Sequence, residues 1–222
     1  MKKIIILLVV FVCWSCYDDD LVIVEDEQNN LHTASELTYL LRGVSSHNTT
    51  FDQFLDGSDC FSIEFPYQVQ LPDNSIVLIE NEGDLHSLAD ENHLSFEFLY
   101  PLQIKTADYM QHQIDHKNQH LNLLEKCNNG EMFKDHIDCA ELLFPIQLSV
   151  SDINHQRFNE IELVNAEELY HFLTDLSEDI RFKINYPVDL FTFIDHHSEV
   201  HHNQDLLSLI LNAARENCKV IE

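Results

Sequence analysis

Glycine and proline are scarce in this chain, with 4 and 5 copies among 222 residues. A loop that cradles phosphate with its backbone N–H groups needs closely spaced glycines, and neither GxSxG nor GxxxxGK occurs. Basic residues are also few: 12 Lys+Arg stand against 39 Asp+Glu, a formal charge of −27. That balance leaves no basic face for a phosphate backbone, which argues against nucleic acid and anionic lipid as partners. Long apolar runs are missing too. The run from Ile4 to Val12 has nine residues, against the roughly 20 that a membrane-spanning helix needs. What remains, at 45% hydrophobic residues, is the composition of a chain that folds.

The first twenty residues read as an address. Lys2 and Lys3 precede the apolar run, which leads into Cys13-Trp14-Ser15-Cys16 and then Tyr17-Asp18-Asp19-Asp20. This is the layout of a secretory signal, expected over residues 1–15. Ser15 before Cys16 resembles the end of a bacterial lipobox, with Cys13 where a leucine is usual, so Cys16 is the expected lipidation site. Acyl chains there would supply the two hydrophobic signals that stable anchoring requires. Loss of Lys2 and Lys3 with the signal takes the formal charge from −27 to −29. The aspartates after Tyr17 resemble the acidic stretch that sends Bacteroidota lipoproteins to the outer face of the outer membrane. Residues 16–58 are expected to form an acidic tether and lead-in, without catalytic content.

Internal repetition dominates the rest of the chain. Phe65-Pro66-Tyr67-Gln68-Val69, Tyr100-Pro101-Leu102-Gln103-Ile104, Phe144-Pro145-Ile146-Gln147-Leu148 and Tyr186-Pro187-Val188-Asp189-Leu190 share one pattern: aromatic, Pro, any, polar, aliphatic. Apolar residues alternate upstream of each proline, as in Ile63 and Phe65 or Phe182 and Ile184, the period-two mark of a half-buried strand. Proline cannot donate a ladder hydrogen bond, so each should mark an edge, a bulge or a bend. A returning strand and a helix follow, so the unit is ββα. Asn165 and Glu168 predict a capping box for a helix over 167–176, and Asn203 a cap for a helix from Asp205 to about Cys218. The second unit, with Asp108 to Gln113 in place of a returning strand, is the weakest copy.

Cys60 and Cys139 each stand five residues before the aromatic of their repeat, and Cys127 and Cys218 each end the second helix of a half. The chain thus divides into two ββαββα halves, 59–127 and 138–219, with helices covering one face of antiparallel sheets, an α+β class. Through Leu40-Leu41-Arg42, Asp59-Cys60-Phe61-Ser62-Ile63, Phe65-Pro66, Cys139 with Phe144-Pro145, and Tyr186-Pro187, it resembles a family of lipoproteins from flavobacteria and other Bacteroidota. That resemblance implies a lipid-anchored envelope protein and brings no activity or ligand with it. The chain departs from the family pattern over Lys105 to Gln119.

Setting aside Cys13 and Cys16, four cysteines remain for an oxidising compartment. They allow three pairings, and the repeat favours Cys60 with Cys127 and Cys139 with Cys218. The absence of CxxC spacing argues for structural bridges over zinc. Fourteen histidines raise a metal alternative: His112, His116 and His120 form one set, and His196, His197, His201 and His202 another. The repeat places both sets in the hairpin and returning strand of the second and fourth units, so shared helical faces are not expected. Asp52, Asp56, Gly57, Ser58 and Asp59 collect oxygen ligands but lack the EF-hand order, and a disordered acidic lead-in is expected there.

The expectation is a non-enzymatic, lipid-anchored lipoprotein of the outer membrane, on its surface or facing the periplasm, without a cofactor. It would meet the membrane through its anchor and a protein or glycan partner through its repeats. The alternatives are an envelope metal-binding protein using the histidine sets and a hydrolase at the groove between the halves.

Overall fold

The computed structural model describes residues 29–90, 95–134, 136–155, 157–193 and 196–216. Residues 1–15, expected to be a signal, together with Cys16, the aspartates 18–20 and Cys218, lie outside the described residues. Among those described, six helices and twelve strands form a mixed α+β fold.

The repeat motif is a burial pattern before it is anything else. Its last residue, Val69, Ile104, Leu148 or Leu190, is 0% exposed in every copy, while Gln68, Gln103 and Gln147 point outward. Each motif therefore forms the central strand of a three-stranded antiparallel sheet: β2 (Tyr67–Gln70), β5 (Leu102–Thr106), β8 (Ile146–Asp152) and β11 (Val188–Thr192). The returning strands are β3 (Ile76–Ile79), β6 (Gln111–Ile114), β9 (Arg157–Leu163) and β12 (His196–Val200), each paired with the strand before it. The weak second copy thus has its hairpin after all: Asn74 and Tyr109 turn the first two hairpins with positive φ, and asparagine and tyrosine serve there in place of glycine.

The alternation upstream of each proline belongs to a separate strand. Four short or medium strands lead the repeats: β1 (Phe61–Ile63), β4 (Glu97–Leu99), β7 (Ala140–Leu142) and β10 (Ile180–Ile184). All four aromatic-Pro bonds are cis and stand where the chain passes from one sheet to the next. The leading strands are exchanged. β1 pairs with β5, and β4 with β2, so each unit of the first half lends its first strand to the other unit's sheet. The second half repeats this connectivity, β7 pairing with β11 and β10 with β8.

A helix follows each returning strand: α3 (Glu82–Asp90), α4 (Lys117–Asn128), α5 (Ala166–Thr174) and α6 (Asn203–Glu216). The predicted capping box is present, shifted by one residue. Asn165 Oδ1 accepts the Glu168 N–H at 2.9 Å, and Glu168 in turn accepts the N–H of Val164 rather than that of Asn165. Asp84 and Gln119 repeat the device at α3 and α4 by accepting from Glu80 and Asp115. Asn203 differs from expectation: it is the first residue of α6, and its Oδ1 accepts the Tyr186 hydroxyl at 2.6 Å.

The later part of the lead-in, residues 31–58, carries helices and packs against both halves, while residues 17–28 of the expected tether lie outside the described residues. Leu37, Leu40, Leu41 and Val44 fall at i, i+3, i+4 and i+7 and make one apolar stripe on a helix over 36–45, here α1 (Glu36–Ser45). That stripe is buried in the core of the second half, beside Leu148, Phe182 and Leu190. Leu31 adds a bridge to the free edge of β10 through paired hydrogen bonds with Phe182, 2.8 and 3.0 Å. The chain then crosses to the first half. On the way Thr50 Oγ1 donates to Asp138 at 3.0 Å, and the Tyr109 hydroxyl donates to the Ser45 carbonyl at 2.7 Å. The rings of Tyr109 and Tyr170, 5.5 Å apart, fill the junction between the halves.

Candidate functional site

The acidic stretch before Cys60 is a packed corner of the first half, which overturns the expectation of disorder. A short helix, α2 (Gln53–Asp56), begins just after Asp52 and ends at Asp56. Gly57, at φ +74°, takes the left-handed conformation that closes it, a conformation a side chain would resist. The chain then folds back so that Asp56 Oδ1 accepts the Ser58 N–H at 2.8 Å, and Ser58 Oγ accepts the N–H groups of Cys60 and Phe61. Asp52 Oδ2 accepts the Ile63 N–H on β1 at 2.8 Å. One oxygen of each carboxyl is thereby held.

The other oxygens are not. Asp52 Oδ1, Asp56 Oδ2 and the hydroxyl of Tyr67, at the start of β2, are buried without a hydrogen-bond partner. Asp52 is 1%, Asp56 4% and Tyr67 5% exposed. Burial pushes the Asp52 carboxyl up to about 7, against its backbone hydrogen bonds, with Glu82 adding a like charge. Burial and then the charge of Asp52 push Asp56 up to about 9. Burial, and then the charges of the same two carboxyls, raise Tyr67, which is therefore within electrostatic reach of both. Chemically, this corner can hold a shared proton or a cation, since a buried carboxylate pair without a counter-charge is strongly disfavoured.

The candidates named from sequence are distributed differently. Cys60 and Cys127 form a disulfide, with Cα atoms 5.9 Å apart. Cys139 is 2% exposed and disulfide-bonded, its partner lying outside the described residues, as does Cys218. The histidines do not converge. His112 stands on β6 and His116 caps α4, both lining a cleft of about 410 Å³ with Gln119 and Lys126. His120 is buried apart from them, with Nδ1 3.1 Å from the Tyr100 hydroxyl, and burial lowers its pKa. His197 pairs with Asp189 and His201 with Glu199, each at 3.1 Å. His196 lies 6.2 Å from the Phe191 ring, and His202 borders a second cleft of about 510 Å³ beside the start of α6.

Among the described residues, Asp59, Cys60 and Cys127 are the group of three whose potential metal-ligating atoms come together. Both of its sulfurs are tied in the disulfide. Sequence reasoning saw Asp52 and Asp56 but gave them no role, and passed over Tyr67 as part of the repeat. The available signal was the spacing: aspartates at i and i+4 on either side of Phe54 and Leu55, closed by a glycine, describe one helical turn with both carboxyls on one side. No family model, curated protein or solved structure matches this chain.

Proposed function

We propose that the protein is a non-enzymatic cell-envelope lipoprotein, anchored in the outer membrane through acyl chains on Cys16, that serves as a binding or assembly module. The observation that supports binding is the surface of the four hairpins. Large apolar side chains stand exposed on every one: Ile76 and Leu78 on the first, Met110 on the second, Ile153 and Phe158 on the third, Phe193 on the fourth. Single exposed apolar residues are ordinary. Their recurrence on all four hairpins gives every repeat exposed apolar side chains in or next to its returning strand. The Cys60–Cys127 bridge supports an oxidising, extracytoplasmic location.

Two measurements test this. Cys16→Ser should abolish acylation and release the protein from membranes; retention through carbonate extraction would end the anchor reading. Photo-crosslinking groups placed at Phe158 and Phe193 in intact cells should yield discrete adducts with a protein or glycan partner, while one at Glu125 on α4 should not. Equal yields at all three positions would remove the hairpins from the argument.

A further inference from the structure

We propose that Asp52, Asp56 and Tyr67 form an internal binding site for a hard divalent cation, with calcium the best chemical match. Three oxygens without partners, on residues at least 95% buried, lie in one part of the first half: Asp52 and Asp56 flank a single helical turn, and Tyr67 is within electrostatic reach of both. The remaining oxygen of each carboxyl is already committed to a backbone N–H, at Ile63 and at Ser58. That fixes the side chains so that Asp52 Oδ1 and Asp56 Oδ2 are presented inward. The charges acting on the pair come from each other, from Asp59 and from Glu82, all of them negative. A bound divalent cation would neutralise the two carboxylates and supply the contacts that the three oxygens lack.

The donor set selects the ion. Carboxylate and phenol oxygens suit calcium or magnesium and disfavour zinc or copper, which prefer nitrogen and sulfur. Magnesium demands a strict octahedron, whereas calcium accepts an irregular shell of about six to eight oxygens, of which these three would be part and backbone carbonyls or water the rest. The site joins residues 52–58 to β1 and β2, so an ion there would clamp the crossing segment onto the first half.

The competing occupant is a proton shared between the carboxyls, and the test separates the two. Mature protein stripped with chelator is titrated with calcium chloride at about pH 8 and about pH 5.5, to about 10 mM, beyond the range of the weakest extracellular calcium modules. The expected result is saturable one-to-one binding with a raised melting temperature at the higher pH, and at least tenfold weaker binding at the lower, where protons compete. Asp52→Asn and Asp56→Asn, close in shape to the native side chains, should abolish both effects, while Glu160→Gln on β9 should leave them unchanged. Terbium in the same site should emit on excitation of tyrosine, and Tyr67→Phe should remove that emission. No melting shift at pH 8 would overturn the proposal in favour of the proton. A shift that survives Asp56→Asn, or terbium emission that survives Tyr67→Phe, would assign binding to surface acids and overturn it equally.

Discussion

Raising the pH of the metal-free protein from about 6.5 to 9 tests the carboxyl pair by its effect on stability. Folded, Asp52 titrates at about 7 and Asp56 at about 9, both raised chiefly by burial; unfolded, an aspartate titrates at about 3.9. The folded state therefore holds protons that the unfolded state has released. Stability is greatest near the unfolded pKa and falls as the pH climbs through the folded values. At about 1.4 kcal/mol per unit and group, the interval from 6.5 to 9 costs roughly 4 kcal/mol, about 3 of it from Asp56. His47 acts in the opposite direction, but lower down. Burial, helped by Lys105 and His136, depresses its pKa to about 4, so it withdraws stability only as the pH falls below about 6.5. Urea midpoints followed by circular dichroism in chelator should show the decline. Asp56→Asn keeps an oxygen for the Ser58 N–H and removes the ionisation, so it should flatten most of the slope and exceed wild type near pH 9. A level wild-type profile, or an Asp56→Asn protein with an unchanged slope, would refute the reasoning.

Leu41, 1% exposed in the core of the second half, should cost about 2–5 kcal/mol when changed to Ala, read as a lower urea midpoint; a loss under 1 kcal/mol would detach α1 from that core. Replacing Cys60 and Cys127 together with Ser opens a loop of 67 residues and should cost about 4 kcal/mol by chemical denaturation. Peptide mapping without reductant should join Cys139 to Cys218, the counterpart of Cys127, and a Cys139–Cys13 or Cys139–Cys16 peptide would contradict the correspondence of the halves. Cleavage between Asn128 and Lys134 should leave two fragments that co-elute under native conditions, because α1 travels with the first fragment and packs in the second half; free separation in buffer would contradict that packing.

The central strands were legible because their information is local. A period-two pattern ending in Val69, Ile104, Leu148 or Leu190 states which face is buried, and the structure buries those positions completely. Each proline was legible as an edge, a bulge or a bend, but not as a crossing from one sheet to another. Alternation runs on through Ile63, Phe65, Tyr67 and Val69, so sequence suggests one strand, while the partner that divides it, β5 for β1, lies some forty residues away. Helix α1 carried a clear stripe of Leu37, Leu40, Leu41 and Val44, but acidic neighbours on both sides gave the region the look of a tether. The carboxyl corner shows the same limit. Spacing puts Asp52 and Asp56 on one side of a turn, yet Asp52 is held by the Ile63 N–H, which only tertiary packing brings there.

The exchange of leading strands fixes the unit of inheritance for this architecture. If a single repeat were deleted, the sheet of its neighbour would lose one edge strand and the neighbour's own leading strand would have nowhere to pair. A lone repeat carries the same defect, so neither gain nor loss of one copy preserves the hydrogen-bonded ladders. Two copies close on themselves and leave nothing unpaired between them. Chains built this way should therefore grow and shrink by even numbers of repeats, and the boundary that tolerates recombination is the Asn128-Asn129-Gly130 junction between pairs, not the shorter links within them.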